Sequence, residues 1–277
     1  MDLATRIRPA RQAVLRWTVV VLASAVLFGP PAHADLASLD QPADQEEMEQ
    51  RIAEYSRQMR SAPRQARLYV HRGHAYFKLR EFDRAIADYR TALALDHNLD
   101  EAYFGRGMAL GRNGEIDAGI ADLSVYIQRH PGSALAYTKR GVRHLWKGDA
   151  ANAEKDFVKA IALDPRNAEA HDDLGVIHAR RGDHAQAIRH FSTTIKLDPS
   201  YQKAYHNLAM VYYLAGQDAR ALVVVNESLR LSPEDRNSLL LKGEILETLG
   251  RHPEARTVRE EAEFLPDGNW SEQAPVQ

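Results

Sequence analysis

The 277-residue sequence contains no cysteine. A disulfide framework and a thiolate metal site are therefore excluded, as is lipid attachment of the bacterial lipoprotein kind after the N-terminal apolar run. There is no surplus of positive charge either: 36 Lys and Arg face 38 Asp and Glu, a formal net charge of -2. Generic nucleic-acid binding needs a basic footprint, so this balance argues against that class. The apolar run from Trp17 to Phe28 falls short of the roughly 20 residues that span a bilayer. His-Glu-x-x-His, a nucleophile elbow and a phosphate-cradling glycine loop are all absent, which removes the common hydrolase and nucleotide-binding signatures.

What the chain does contain is a period. Gly73, Gly107, Gly141, Gly175 and Gly243 are spaced in multiples of 34, and Ala209 fills the vacancy in the series. Twelve residues later in each unit comes a second small residue: Ala85, Gly119, Ala153, Ala187, Ala221 and Ala255. A large residue follows four positions on, at Tyr89, Leu123, Phe157, Phe191 and Val225. Turn glycines recur at Gly114, Gly148, Gly182, Gly216 and Gly250, and closing prolines at Pro131, Pro165, Pro199 and Pro233. Within the unit Ala168 to Tyr201, Leu174, Gly175, Ile177 and His178 share one helical face, and Ala187, Ile188, Phe191 and Ile195 another. The spacing predicts two helices that cross where side chains are smallest, about 8 Å apart.

This register resembles the tetratricopeptide repeat family, a 34-residue helix-turn-helix pattern with a Leu-Gly pair, a Tyr, an Ala, a Phe and a Pro at set positions. The match runs from Ala66 to about Asp267. The resemblance implies an all-α, right-handed solenoid of six units, at 66–99, 100–133, 134–167, 168–201, 202–235 and 236–267. Arg72, Arg106, Arg140 and Lys242 depart from the family's usual Leu; their stems are expected to cover apolar surface while the charges reach water.

Ahead of the repeats, residues 1–34 read as a cleavable export signal, with an uncleaved N-terminal anchor as the competing reading. Arg6, Arg8, Arg11 and Arg16 form the basic leader, and Ala32-His33-Ala34 the cleavage site. Loss of those four arginines and Asp2 would take the net charge from -2 to -5. Residues 35–65 are expected to hold a flexible linker up to Asp44, then one amphipathic helix. Its inward stripe is Met48, Ile52, Tyr55 and Met59, and it caps the stack as a half-repeat. The last unit carries a polar second helix in which Arg259 stands where the others have a large apolar residue, as a C-terminal cap requires. Residues 268–277 are expected to fray.

The resemblance also implies that first helices line a concave groove. The partner-binding candidates there are Arg67, His71, His74, Phe104, Met108, Lys139, Leu145, Trp146, Asp172, Asp173, Asn207 and Tyr213. Phe104, Met108, Leu145 and Trp146 make an apolar patch of the kind that anchors protein interfaces. Asp172 and Asp173, adjacent on a helix and so about 100° apart, are expected to form a solvated acidic patch rather than one shared site. The Lys-and-Asn clamp by which some family members hold a carboxylate terminus is missing, since the fifth positions are Val70, Phe104, Thr138, Asp172, His206 and Leu240. His71 with His74, and His171 with His178, have spacings that could reach an ion, but no third ligand can be placed.

Taken together, these features describe a non-enzymatic scaffold, periplasmic or secreted, that binds a protein or peptide in its groove. No cofactor, metal, nucleic acid or stable membrane span after signal cleavage is expected. Two alternatives stand beside it: an assembly factor for an envelope enzyme, as in cytochrome c maturation, and a metal-dependent hydrolase.

Overall fold

The computed structural model describes residues 36–266. The leader at 1–34 and the tail at 268–277 lie outside them. Among the described residues the chain forms thirteen helices of at least twelve residues and no strand. A single helix, α1 (Gln45–Ser61), precedes six pairs. The pairs are α2 (Ala66–Lys78) with α3 (Phe82–Leu95), α4 (Asp100–Arg112) with α5 (Ile116–Arg129), and α6 (Ala134–Trp146) with α7 (Ala150–Leu163). Then come α8 (Ala168–Arg180) with α9 (His184–Leu197), α10 (Gln202–Leu214) with α11 (Asp218–Leu231), and α12 (Arg236–Thr248) with α13 (His252–Glu263).

Local chemistry sets where these helices begin and end. Asp183 caps α9 by accepting the Gln186 amide, and Asn167 caps α8 in the same way through Ala170. Each such cap satisfies one of the amides a helix start leaves unpaired and contributes about 1 kcal/mol. Within the pairs the chain reverses through a left-handed residue: Gly182 sits at φ 77°, and in the first unit, which lacks the glycine, Arg80 sits at φ 61°. Before the closing prolines, Asp164 and Asp198 are extended at φ -136°. That is the conformation a following proline imposes.

Packing explains the periodic small residues. A side-chain carbon placed on Gly175 would lie 2.7 Å from the Phe191 ring, and one on Gly141 2.7 Å from Phe157. The same position meets Tyr89 at 2.9 Å from Gly73, and Leu123 at 2.9 Å from Gly107. Only the absence of a side chain lets the facing large residue approach the first helix this closely. Phe157, Phe191 and Tyr89 are each at most 1% exposed, a burial that contributes about 1.5–3 kcal/mol per ring. Ala209 is tolerated in the fifth unit, where the facing residue is the smaller Val225. In the last unit the aliphatic part of Arg259 packs over Gly243 and its head pairs with Glu244 and Glu247.

The arginines at the family's leucine position turn their charges to the partner helix rather than straight out to water. Arg72, Arg106 and Arg140 each form a two-pronged ion pair with an aspartate sixteen residues later, Asp88, Asp122 and Asp156, at 2.6–2.8 Å. The guanidinium side chains are 21–22% exposed and the carboxylates 7–10%. A planar fork facing a carboxylate on the partner helix makes two parallel charge-assisted hydrogen bonds, which fix the geometry of the pair. The next two units replace the pair with Leu174 opposite His190 and Leu208 opposite Val224.

Successive units stack with a consistent curvature. First helices touch first helices all along the chain, α2 with α4, α4 with α6, and so on to α12, whereas no second helix packs comparably on another second helix. The side on which neighbours converge is the inside of the curve, so first helices line the concave face.

One segment departs from its expected role. Residues 36–44, read from composition as part of a flexible linker, begin with a packed turn. Leu36 and Leu39 are 4% and 2% exposed and belong to the same apolar cluster as Val70, Phe104 and Met108.

Candidate functional site

The turn at Leu36–Asp40 is held against the first helices by three side chains. Lys78 Nζ at the end of α2 donates to the Ser38 carbonyl at 2.7 Å. Arg112 Nη2 at the end of α4 donates to Asp40 Oδ1 at 3.2 Å. Lys139 Nζ in α6 lies 3.0 Å from Asp40 Oδ2 and 2.8 Å from Glu169 Oε2 of α8. Four consecutive first helices thus contribute to one cluster.

Arg143 lies beneath it. Its side chain is among the largest fully buried ones in the chain, and it crosses Gly111, where a side-chain carbon would sit 2.6 Å from Nε. Its Nη2 donates to the Met108 carbonyl at 3.1 Å and its Nη1 to the Lys139 carbonyl at 3.3 Å. Trp146 sits beside both guanidinium groups, 4.7 Å from that of Arg143 and 5.4 Å from that of Arg112. Burial works against every charge here, and the partners answer it unevenly. For Asp40, burial raises the pKa, but Lys139, Arg143 and Arg112 together bring it down to about 2. For Lys139, burial lowers the pKa, yet Glu169 and Asp40 raise it further. For Arg143, burial dominates and leaves the guanidinium at about 10. The result is a pocket in which three cations surround the Asp40 carboxylate.

A second cluster sits where α8 meets α10. Lys203 Nζ is 3.1 Å from Asp172 Oδ2 and 4.0 Å from Asp173 Oδ1, and Asn207 donates to Asp172 Oδ1 at 3.2 Å. Asp172 is fully buried, and the Asp173 side chain is 13% exposed. Burial pushes the Asp173 carboxyl up to about 7, and the neighbouring Asp172 and Glu169 add to it against the pull of Lys203. The expected solvated patch of two independent carboxylates is therefore replaced by a desolvated pair sharing one ammonium group. A lysine arriving from the next first helix closes an angle that helix geometry alone leaves open.

The remaining candidates are distributed unevenly. Phe104 and Met108 are 1% and 0% exposed, and Phe104 packs edge-on against Tyr126. They belong to the interior rather than to an open patch, because the 36–40 turn and the neighbouring helix cover them. Leu145 is half-buried against the cluster centred on Phe157 and Leu174. Arg67 is exposed and lines a cavity of about 180 Å3 beside Leu36, with Glu101, Tyr126 and His130. His71 stacks on Tyr55 with ring centres 5.6 Å apart, and His74 is buried against Tyr89. Tyr213 is half-buried beside the Ala209–Val225 cluster.

His171 and His178 meet a third histidine that sequence spacing did not single out, His190 of α9. His171 Nδ1 is 3.1 Å from His190 Nδ1, and the His178 and His190 rings stack at 5.4 Å. Burial, reinforced by these two neighbours, holds His190 down to about 4. Among the described residues no group of three His, Cys, Asp or Glu side chains is placed to hold one metal ion. Arg143 and Asp40 were also missed. A signal for Arg143 exists in Gly111, a glycine that the repeat pattern does not require and that the arginine crosses.

Comparison with known proteins bears on the fold. Tetratricopeptide repeat models match residues 73–114, 101–133, 138–201 and 178–245. Curated proteins yield no match. Among solved structures, the crystal structure of the APC/C hetero-tetramer Cut9-Hcn1 superposes with a TM-score of 0.71 at 20% identity over 82% of this chain. The chain spans only 44% of that neighbour's length. A tetratricopeptide repeat protein from Parabacteroides merdae gives a TM-score of 0.65 at 18% identity, covering 87% of this chain and 94% of the other. YrrB, described as a TPR protein with an unusual peptide-binding site, gives 0.53 at 19% identity, covering 67% and 95%. At these identities the structural likeness speaks to the fold alone, but it agrees with the family models and with the helix pairs described above. The chain belongs to the tetratricopeptide repeat family.

Proposed function

We propose that this protein is a non-enzymatic scaffold that grips a peptide segment of a partner protein along the concave face of its first helices. One observation carries the reading: Lys78, Arg112 and Lys139, from three successive first helices, converge on the backbone and side chain of an irregular segment lying across them. A groove that holds one short segment by a carbonyl and a carboxylate has the chemistry to hold another. Family membership supports the same reading, since this repeat serves protein interaction rather than catalysis. YrrB, a structure of the same fold, has a peptide-binding site. Fold alone does not fix function, so the argument rests on the groove. The basic leader and the small-residue cleavage site of 1–34 support a periplasmic or secreted setting. N-terminal sequencing of the mature chain tests that part, with Asp35 as the expected first residue.

A photocrosslinking residue introduced in intact cells tests the binding face. Placed at Arg67 or Tyr213 on first helices, it is expected to yield protein adducts. Placed at Val223, which is 65% exposed on the second helix α11, it is expected to yield none. Equal yields from both faces, or none from the groove, would contradict the reading.

A further inference from the structure

The turn at 36–40 lies outside the repeats, yet it is anchored as a ligand would be. Leu36 and Leu39, three residues apart, place two apolar side chains on one side and become almost fully buried in the cluster that contains Val70, Phe104 and Met108. The Ser38 carbonyl is held by Lys78, a contact that any peptide backbone could make. The Asp40 carboxylate is held by Arg112 and Lys139 over a buried Arg143. Arg143 itself reaches two backbone carbonyls, those of Lys139 and Met108, and Lys139 divides its ammonium between Asp40 and Glu169. Leaving buried cations short of a counter-charge is costly, so the pocket demands an anion from some source. Only residues 41–44 connect the turn to α1, and a tether that short raises its effective concentration without making it irreplaceable.

We propose that the first three units form a binding site for an acidic peptide of the pattern Leu-x-x-Leu-Asp, and that the chain's own residues 36–40 occupy this site as a displaceable stand-in. The proposal rests on the reading of the concave face as the peptide-binding face, and it specifies the ligand's chemistry and how access is controlled. An outside peptide competes with the tethered one, so its apparent affinity is reduced by the fraction of time the pocket is closed.

The test uses the full chain and a fluorescent peptide with the sequence of residues 35–44. In the variant Leu36→Ala/Leu39→Ala/Asp40→Asn, the peptide is expected to bind at least tenfold more tightly than in the wild-type chain. The same peptide carrying D40N is expected to bind that variant at least tenfold more weakly. Equal binding to wild type and variant, or indifference to D40N, overturns the proposal. Removing two buried leucines could unfold the first units, which circular dichroism would show. The single variant Asp40→Asn keeps both leucines and then carries the decision: tighter binding than wild type supports the proposal, equal binding overturns it. Wild-type dimers that vanish on Asp40→Asn would assign the turn to the pocket of a second copy and overturn the stand-in arrangement. Failure of this assay with persistent groove adducts in the photocrosslinking experiment would sink the ligand assignment alone and leave the binding face standing.

Discussion

At Gly175 the contact with Phe191 leaves no room for a side chain, and the same holds at Gly141 with Phe157. A Gly175→Leu variant is expected to lose about 3 kcal/mol or more, since even one added methylene in a packed interior costs about 1–3 kcal/mol. Thermal melting measures this directly, and an unchanged melting temperature would contradict the packing account. Asp173 offers a test by pH. Its folded pKa, raised to about 7, means that the stability it contributes is fully present below the unfolded value of about 4. That contribution is lost as pH rises through about 7, because the folded state holds the proton longer than the unfolded one. Denaturation of wild type should therefore show falling stability between those limits. Asp173→Asn should flatten the fall by roughly 1–3 kcal/mol, a range set by burial of the carboxyl. A fall of the same size in the variant would mean that another group causes it.

For the helix pair, the exchange of an Arg–Asp bridge for an apolar contact between otherwise similar units is a comparison that the chain makes internally. Arg106 bridges to Asp122 at 2.6–2.8 Å, while two other units have Leu174 and Leu208 at the arginine's position. Arg106→Leu alone leaves Asp122 buried without its partner. It is expected to cost about 2–3 kcal/mol, somewhat below the figure for a fully buried pair because the guanidinium is 21% exposed. Adding Asp122→Val, which copies the Leu208–Val224 arrangement, is expected to recover most of that loss in a chemical denaturation series. No recovery would mean that the bridge supplies more than a matched pair. Much of this element was legible beforehand, because small, large and breaker residues recur on one period and each has a local physical reason. The bridges were half legible: the arginines stood out as departures, but Asp88, Asp122 and Asp156 share their period and were not paired with them.

Over the whole molecule, legibility falls with distance along the chain. Lys139 meets Asp40 from three units away, and no periodicity reports a contact between a repeat and a segment outside the repeats. Phe104 and Met108 therefore read as an open patch, although the residues that close it, Leu36 and Leu39, stood in the sequence as an unremarked pair inside a polar stretch. Asp172 and Asp173 were misjudged for the same reason, because Lys203 arrives from the next unit. The described residues include no helix long and apolar enough to cross a membrane. The curved stack leaves its first helices as the face on which charge is concentrated and held out of water. Amide hydrogen exchange across residues 36–44, in wild type and in Lys139→Met, tests most directly whether that face grips a peptide by its charge. The account predicts protected amides in the wild-type turn, notably at Gln41, which donates to the Ser38 carbonyl at 3.0 Å. In the variant, exchange there should be at least tenfold faster while the second helices α9 and α11 are unchanged. A turn that exchanges at the same rate with and without the lysine would contradict it.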